Sequence, residues 1–346
     1  MPPAGPARAM PDRRVAVDRA PDPDHHLSED HRHYTWSTAH EPALTVEPGA
    51  VVAFDCRDAY DRQLPPEPTV ADLEAVETEG HAMTGPVAVA GAEPGDTLQV
   101  DLLAFEHEGW GVSTVPPGES GGGLLPEEFP DAHVRGWDLD GTSGGDVPHG
   151  PGGVASFVAD DAPEVSVPVQ PFPGNLGVAP GEDGSHSTMP PRNVGGNMDV
   201  KHLTVGSTLY LPVEATGALF SIGDCHAAQG DGEVCITGIE APMTVTARLS
   251  LADREVTQPQ FETQGPFTPS GRDEAMYATT GIAPDLMDAT KKAVSHMITH
   301  LHEHRGFSRA DAYVLCSAAV DLKISEVVDA PHWTVTAYLP ESVLVD

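Results

Sequence analysis

From about residue 40 onward, hydrophobic positions fall in short runs that alternate with polar ones. ALTVEPGAVVAFDC, PVAVAGAEPGDTLQVDLLAFEH and STLYLPVEATGALFSIGD are examples, each punctuated by Gly and Pro. A two-residue period bounded by turn formers predicts strands joined by tight turns. VEPGAVV and AEPGDTLQV share an E-P-G tripeptide ahead of an alternating run, and GSTLYLPV resembles their second half. Pro presets φ and Gly accepts φ > 0, so each tripeptide predicts a type II turn leading into a strand. After residue 282 the period lengthens. In APDLMDATKKAVSHMITHLHEHRG, Leu286, Ala289, Ala293, Met297 and Leu301 make one apolar stripe, with Pro near the start and Gly306 as the stop. That pattern predicts an amphipathic helix. SRADAYVLCSAAV predicts a second helix capped by Ser308, and DLKISEVV and HWTVTAYL predict two closing strands. The expected fold class is mainly β with α (α+β): sandwich-like sheets of turn-rich strands, with C-terminal helices packed on the sheet.

Residues 1–33 are rich in Pro, Asp and His with little apolar periodicity, which predicts a flexible extension. The folded unit is expected over 34–346, β-rich across 34–262 and mixed α/β across 263–346. Between 110 and 195 the composition shifts to Gly, Pro and Asp. A long acidic loop is expected over 110–160, and Gly-rich functional backbone after it.

The 346 residues, 39% hydrophobic, suffice for one or two domains. Acidic residues outnumber basic ones 53 to 18, a net charge of −35, and only Lys201, Lys291, Lys292 and Lys323 are lysines. No nucleic-acid partner is expected. Self-repulsion on this scale is relieved where molar salt cuts the Debye length to about 3 Å, so a salt-rich cytoplasm fits both biases. No apolar run reaches membrane-spanning or signal-peptide length, which predicts a soluble cytoplasmic protein with no membrane partner. Cys56, Cys225, Cys235 and Cys316 show no CxxC spacing and are expected as buried free thiols.

The densest candidate chemistry lies in SIGDCHAAQGDGEVCITGIE, residues 221–240. Read as two strands joined through AQGDG, it forms a hairpin with His226 opposite Glu233 and Asp224 opposite Cys235, all on one face. Asp224, His226 and Glu233 then offer the nitrogen and carboxylate donors that a cation such as zinc takes; a solvated acidic hairpin is the other reading. VVAFDCRDAYDRQ adds Asp55, Asp58 and Asp61, and GHAMTGPV adds His81 just before a Gly-Pro turn. His296, His300 and His304 recur at i, i+4 on the long helix, but without an interleaved acid they read as a solvated face.

HAMTGPVAVAGAEPGDTLQV, FPGNLGVAP, PPRNVGGNMDVKHLTVGSTLYLPV and GALFSIGDCHAAQGDGEVCITGIEAP occur in this order, followed by AYVLCSAAVDLKISEVVD. Together they resemble the acetamidase/formamidase family from about residue 40 to 342. The resemblance implies a catalytic domain that hydrolyses a small amide substrate, formamide or acetamide, to carboxylate and ammonia. It also implies a mostly β fold, a homodimer or higher homo-oligomer, and a divalent metal of which Zn2+ is the leading candidate. Related members act on lactams, and a non-catalytic small-ligand binder is the rival from another class. The family's polar pattern falls on Asp58, Gln63, His81, Asn197, Asp199, Asp224, His226, Asp231, Glu233 and Glu240. Within it, Asp58, Asp224 and His226 are the expected metal ligands. Glu233, His81, Asn197, Asp199 and Asp231 are the expected catalytic group, with Glu233 moving the proton and His81 and Asn197 donating to the oxyanion.

Overall fold

The computed structural model describes residues 13–77, 79–118, 123–141, 152–159, 162–263, 275–328 and 330–345. The E-P-G turns form as expected. Gly49 and Gly95 sit at φ 97° and 102°, with open space where a Cβ would stand, so glycine there serves backbone conformation rather than packing. They lead into the strands Ala50–Cys56 and Thr97–His107. These join one antiparallel sheet, with Met243–Ala252 between them and Thr208–Pro212 on the far side of Thr97–His107. A second sheet runs Gly195–Asn197, Phe172–Gly177, Phe220–His226, Met83–Val89. The inner faces meet where the Phe54 and Phe220 rings pack edge to face, centroids 5.8 Å apart. One apolar core runs continuously from Leu27 to Leu344.

The N-terminal segment departs from expectation. Residues 1–12 lie outside the described residues, but 13–33 are built into the sheets rather than forming a flexible extension. Arg14–Ala16 pairs with Thr97–His107, and His25–Leu27 runs parallel to Ala50–Cys56. These strands are three residues long, too short to show a period of their own. They are held by ladder bonds to longer strands and by ion pairs from Glu29 to Arg57 and Arg62. The stretch expected as a long loop also contains strands. Trp110–Val115, His133–Asp138, Val154–Val158 and Glu164–Pro168 form a further antiparallel sheet, and 119–122 and 142–151 within it lie outside the described residues. Frequent Gly and Pro dilute the alternation without stopping the pairing.

At the C-terminal end the periodic reading holds. A helix spans Leu286–Arg305, capped by Asp285 and closed by Gly306 at φ 80°. Ala289, Ala293, Met297 and Leu301 are buried beneath it, while Leu286 in the first turn is exposed. Ser308 caps the second helix, Arg309–Ala319, by accepting the Asp311 N–H. The closing strands Asp321–Glu326 and Trp333–Pro340 join Met276–Ala283 in a three-stranded sheet under the long helix. The histidines expected on a solvated face are partly engaged there: His300 stacks on Tyr277 at 3.5 Å, and His296 Nδ1 lies 3.0 Å from the Thr280 carbonyl. No helix among the described residues is long and apolar enough to cross a membrane.

His33 gives the fold a pH dependence. Its buried ring lies 2.8 Å from Ser221 Oγ through Nε2 and stacks on His40 at 4.6 Å. Burial, reinforced by the His40 charge, lowers its pKa from 6.5 to about 4. The unfolded chain therefore binds a proton between about pH 4 and 6.5 that the native state refuses, and stability falls as pH drops through that window. The buried acids add a slope of the opposite sign to parent and variant alike, so the His33 share is read as a difference: the thermal midpoint of His33→Gln, which keeps a hydrogen-bonding side chain without titrating, should gain on that of the parent from pH 7 to pH 5. An unchanged difference would remove His33 from the account.

Candidate active site

The site is built at one end of the second sheet, where several strands deliver polar groups to one place. Phe220–His226 carries Asp224 and His226, and His81 immediately precedes Met83–Val89. Gly195–Asn197 brings Asn197, with Asp199 just beyond it at φ 49°. The space they share exists because residue 174 is glycine. A Cβ there would lie 2.5 Å from Asp199 Oδ1 and 2.6 Å from the His226 ring.

The second half of the opening motif does not form the expected hairpin strand. After His226 the chain leaves the sheet, and its antiparallel bridge partner is Glu240 rather than Glu233. The cause lies in the following helix. Gly230 N–H donates to the Ser317 carbonyl at 2.7 Å, and a Cβ on Gly230 would collide with the Val320 carbonyl. Ser317 accepts the Cys235 N–H at 3.2 Å and donates to the Thr237 carbonyl at 2.6 Å. Positive φ at Glu233 and Ile236 breaks the pleat. The segment is pinned again where Thr114 N–H donates to Thr237 Oγ1 at 2.9 Å and Glu240 exchanges backbone bonds with Val112.

Folded this way, three acids meet one imidazole. His226 Nε2 lies 2.9 Å from Glu240, 3.5 Å from Glu233 and 3.9 Å from Asp224. Two groupings have ligand atoms within 4.8 Å of one another: Asp199, His226 and Glu233, and Asp224, His226 and Glu240. Several buried atoms here have no hydrogen-bond partner: His226 Nδ1, Asp199 Oδ1, Glu240 Oε2 and Asn197 Oδ1. Buried polar atoms are rarely left so, and an imidazole among carboxylates is the donor set of a divalent cation with N/O preference. The residues therefore fit a metal ion.

The electrostatics agree. Burial, reinforced by the Asp224 charge, pushes Asp199 up to about 7. Burial raises Glu240 to about 8, against the pull of His226 and with a push from Asp224. Glu233 is raised by burial and then by Asp199. Burial alone would strip the proton from His226, but Glu240, Asp224 and Glu233 outweigh it and hold its pKa above the ordinary value. Without a cation, this cluster keeps protons in its place.

Not every expected residue joins. Asp58 is buried, but its oxygens accept the Tyr60 N–H at 2.8 Å and the Arg62 N–H at 3.1 Å. It caps a turn, and neither metal grouping includes it. Gln63 pairs with the Glu77 backbone in an exposed loop. Asp231 is drawn to Lys201 at 3.4 Å, and its carbonyl accepts the Leu322 N–H, so it ties the loop to the C-terminal sheet. Cys225 is buried beside Cys56. A hydrogen bond with the Cys56 thiol, together with burial, holds its thiol well above its ordinary pKa, the opposite of an activated nucleophile.

Asn175 was missing from the sequence reading. A polar residue inside the apolar run FPGNLGV was its only signal. Its amide donates to the Thr188 carbonyl at 2.9 Å and faces His81 Nδ1 at 2.9 Å. A carbonyl can only accept, so nitrogen rather than oxygen must face it, and the second N–H reaches Nδ1. His81 therefore carries its proton on Nε2, as a donor on the wall of the same cavity. That cavity, about 500 Å³, is lined by His81, Asn197, Asp224, His226, Glu233 and Glu240 below and by apolar side chains above. Tyr60, also lining it, sits in the same DAYDRQ segment as Asp58.

A half-open cavity with a donor histidine and an acid floor that suits a metal has the make-up of a hydrolytic site. The model of the acetamidase/formamidase family matches residues 20–187 and 182–345, and the chain belongs to that family. A formamidase from Methylophilus methylotrophus is 28% identical across 90% of this chain and 89% of its own. An acetamidase from Mycolicibacterium smegmatis is 30% identical across 87% and 88%. Among solved structures, a γ-lactamase from Delftia acidovorans superposes with a TM-score of 0.79 at 28% identity, covering 91% of this chain and 89% of that one. An acetamidase from Bacillus halodurans gives 0.61 at 28% identity, covering 91% and 97%. The chain is thus an amidase, a hydrolase of carbon–nitrogen bonds.

Asn175→Ala should remove the donor that fixes the His81 tautomer. The proton can then move to Nδ1, 3.7 Å from Asp224, and kcat/KM for amide hydrolysis should fall about a hundredfold, the size of one lost oxyanion donor. Nitrogen NMR of the His81 ring reads the tautomer directly, and an unchanged Nε2–H signal would refute the assignment.

Proposed function

We propose that this chain hydrolyses short linear amides, formamide and acetamide among them, to carboxylate and ammonia. In this reading a divalent cation, zinc foremost, is held by His226 with carboxylates drawn from Asp199, Asp224, Glu233 and Glu240. The observation that carries it is the convergence of one imidazole and four carboxyls, with orphaned polar atoms, where His226, Asp224, Glu233 and Glu240 line a cavity. Bound there, the ion contributes Lewis acidity toward the carbonyl and lowers the pKa of water.

The remaining roles fall to the chain's own groups. His81 Nε2–H donates to the amide oxygen as charge builds on it, and the Asn197 amide reaches the same space. Glu233, at the cavity edge and 3.5 Å from His226, takes the proton from water and delivers it to the departing nitrogen. Asp199 shares the buried proton inventory beside it.

A second reading is hydrolysis of cyclic amides, favoured by the higher TM-score with the γ-lactamase than with the acetamidase. Four buried free cysteines suit a reducing cytoplasm. The charge of −35 suits a salt-rich one. Exposed Ile282, Ile324 and Val328 offer apolar surface to a second copy in a homodimer or larger homo-oligomer.

Metal analysis of protein purified in molar salt should find bound divalent cation, and His226→Ala should lose both the cation and ammonia release from formamide and acetamide. A variant that keeps its full metal content, or full turnover, sinks the proposed site.

A further inference from the structure

The cavity is far larger than formamide or acetamide requires. It holds about 500 Å³, whereas an acetamide occupies on the order of 100 Å³ if each heavy atom takes nearly the share of one water. The excess is mostly apolar. Away from the acid floor the lining is Leu73, Val76, Pro116, Pro117, Met189 and Ile236, with Tyr60, Glu74 and Thr237 among them.

Ile236 supplies a second, independent observation. It stands at φ 80°, a region that β-branched residues rarely adopt, and its side chain remains 38% exposed. The strain is imposed from both sides, by Cys235 N–H on Ser317 and by Thr237 on Thr114. Glycine would occupy this position without strain, and an exposed isoleucine recovers little burial in exchange. An outlier of this kind beside a reactive centre points to function.

The chemistry of a primary amide orients it in the cavity. Its carbonyl fits the His81 donor and its NH₂ fits the carboxylates, so both polar ends are taken by the floor. The acyl substituent is left to face the apolar wall.

We propose that the site takes primary amides whose acyl group is an apolar chain of about three to five carbons, enough methylenes to reach the wall at roughly fourfold in affinity each. Ile236 is the residue that selects for it. This rests on the amide-hydrolase reading above. It is tested by kcat/KM for formamide, acetamide, propionamide, butyramide and valeramide with the full chain in molar salt. The values should climb about fourfold per methylene beyond acetamide, and Ile236→Ala should flatten the climb. A decline beyond acetamide overturns this inference and leaves the amidase reading standing, whereas no turnover on any member overturns both. Ile236→Gly gives a readout apart from rate. Freed of strain, it should melt no lower than the parent while losing its chain-length preference. A lower melting point with the preference retained would make Ile236 a structural residue and end the proposal.

Discussion

Everything in this fold is arranged around a buried imidazole surrounded by more carboxyl groups than it can neutralise. At an effective dielectric of about 20, two like charges 4 Å apart repel by about 4 kcal/mol. His226 has Glu240, Glu233 and Asp224 within 4 Å, and Asp199 joins the same cluster. These acids cannot all ionise together unless positive charge enters the site. The cluster must therefore hold either protons or a cation, and exchange of one for the other is the property a hydrolytic centre needs. The glycine at 174 leaves the room for this crowd, and the sandwich beneath it keeps the groups from relaxing apart.

The scaffold achieves this by taking the segment that carries Glu233 away from the sheet. Helix Arg309–Ala319 accepts it through Ser317 and the close approach at Gly230. The helix itself is anchored by Asp311, whose carboxyl lies in contact with His133 at 2.8 Å and pairs with Arg135. Burial opposes ionisation there, but those partners hold the carboxyl below its usual range. Removing one partner from such a pair strands a buried charge. The positions of Glu233 and Ile236 thus depend on a helix about 80 residues later in the chain.

How far the sequence could be read follows from which contacts are local. The E-P-G turns, the Asp285 and Ser308 caps and the 3.6-residue stripe are written within a few residues of where they act, and all of them form. Asp224 and His226 share a strand as read and do meet, although Asp224 stands at φ 52°, outside the pleat that alternation assumes. Glu233 was expected across a hairpin that does not exist, because a long-range contact to Val320 and Ser317 outweighs the two-residue period. Asp58 and Asp231 have side chains that suit a site, but backbone N–H groups and Lys201 claim them first. The anchoring of residues 13–33 is equally invisible locally, since its strands borrow their register from longer neighbours. Asn175 shows the converse: one polar residue in an apolar strand, silent in the sequence, that the fold sets beside His81.

The surface and the site carry the same sign of charge for different physical reasons. Surface acids are solvated and screened, and their sum, −35, acts at a distance only while the Debye length allows. The acids on the cavity floor are desolvated and strongly coupled. A neutral amide is indifferent to the outer field, so its approach is not opposed by the chain's charge. A cation is drawn toward the site, and the carboxylate product, once formed, is repelled by those acids around it that stay ionised. A strongly acidic protein is therefore well matched to a reaction that begins with an uncharged substrate and ends with an anion that must leave.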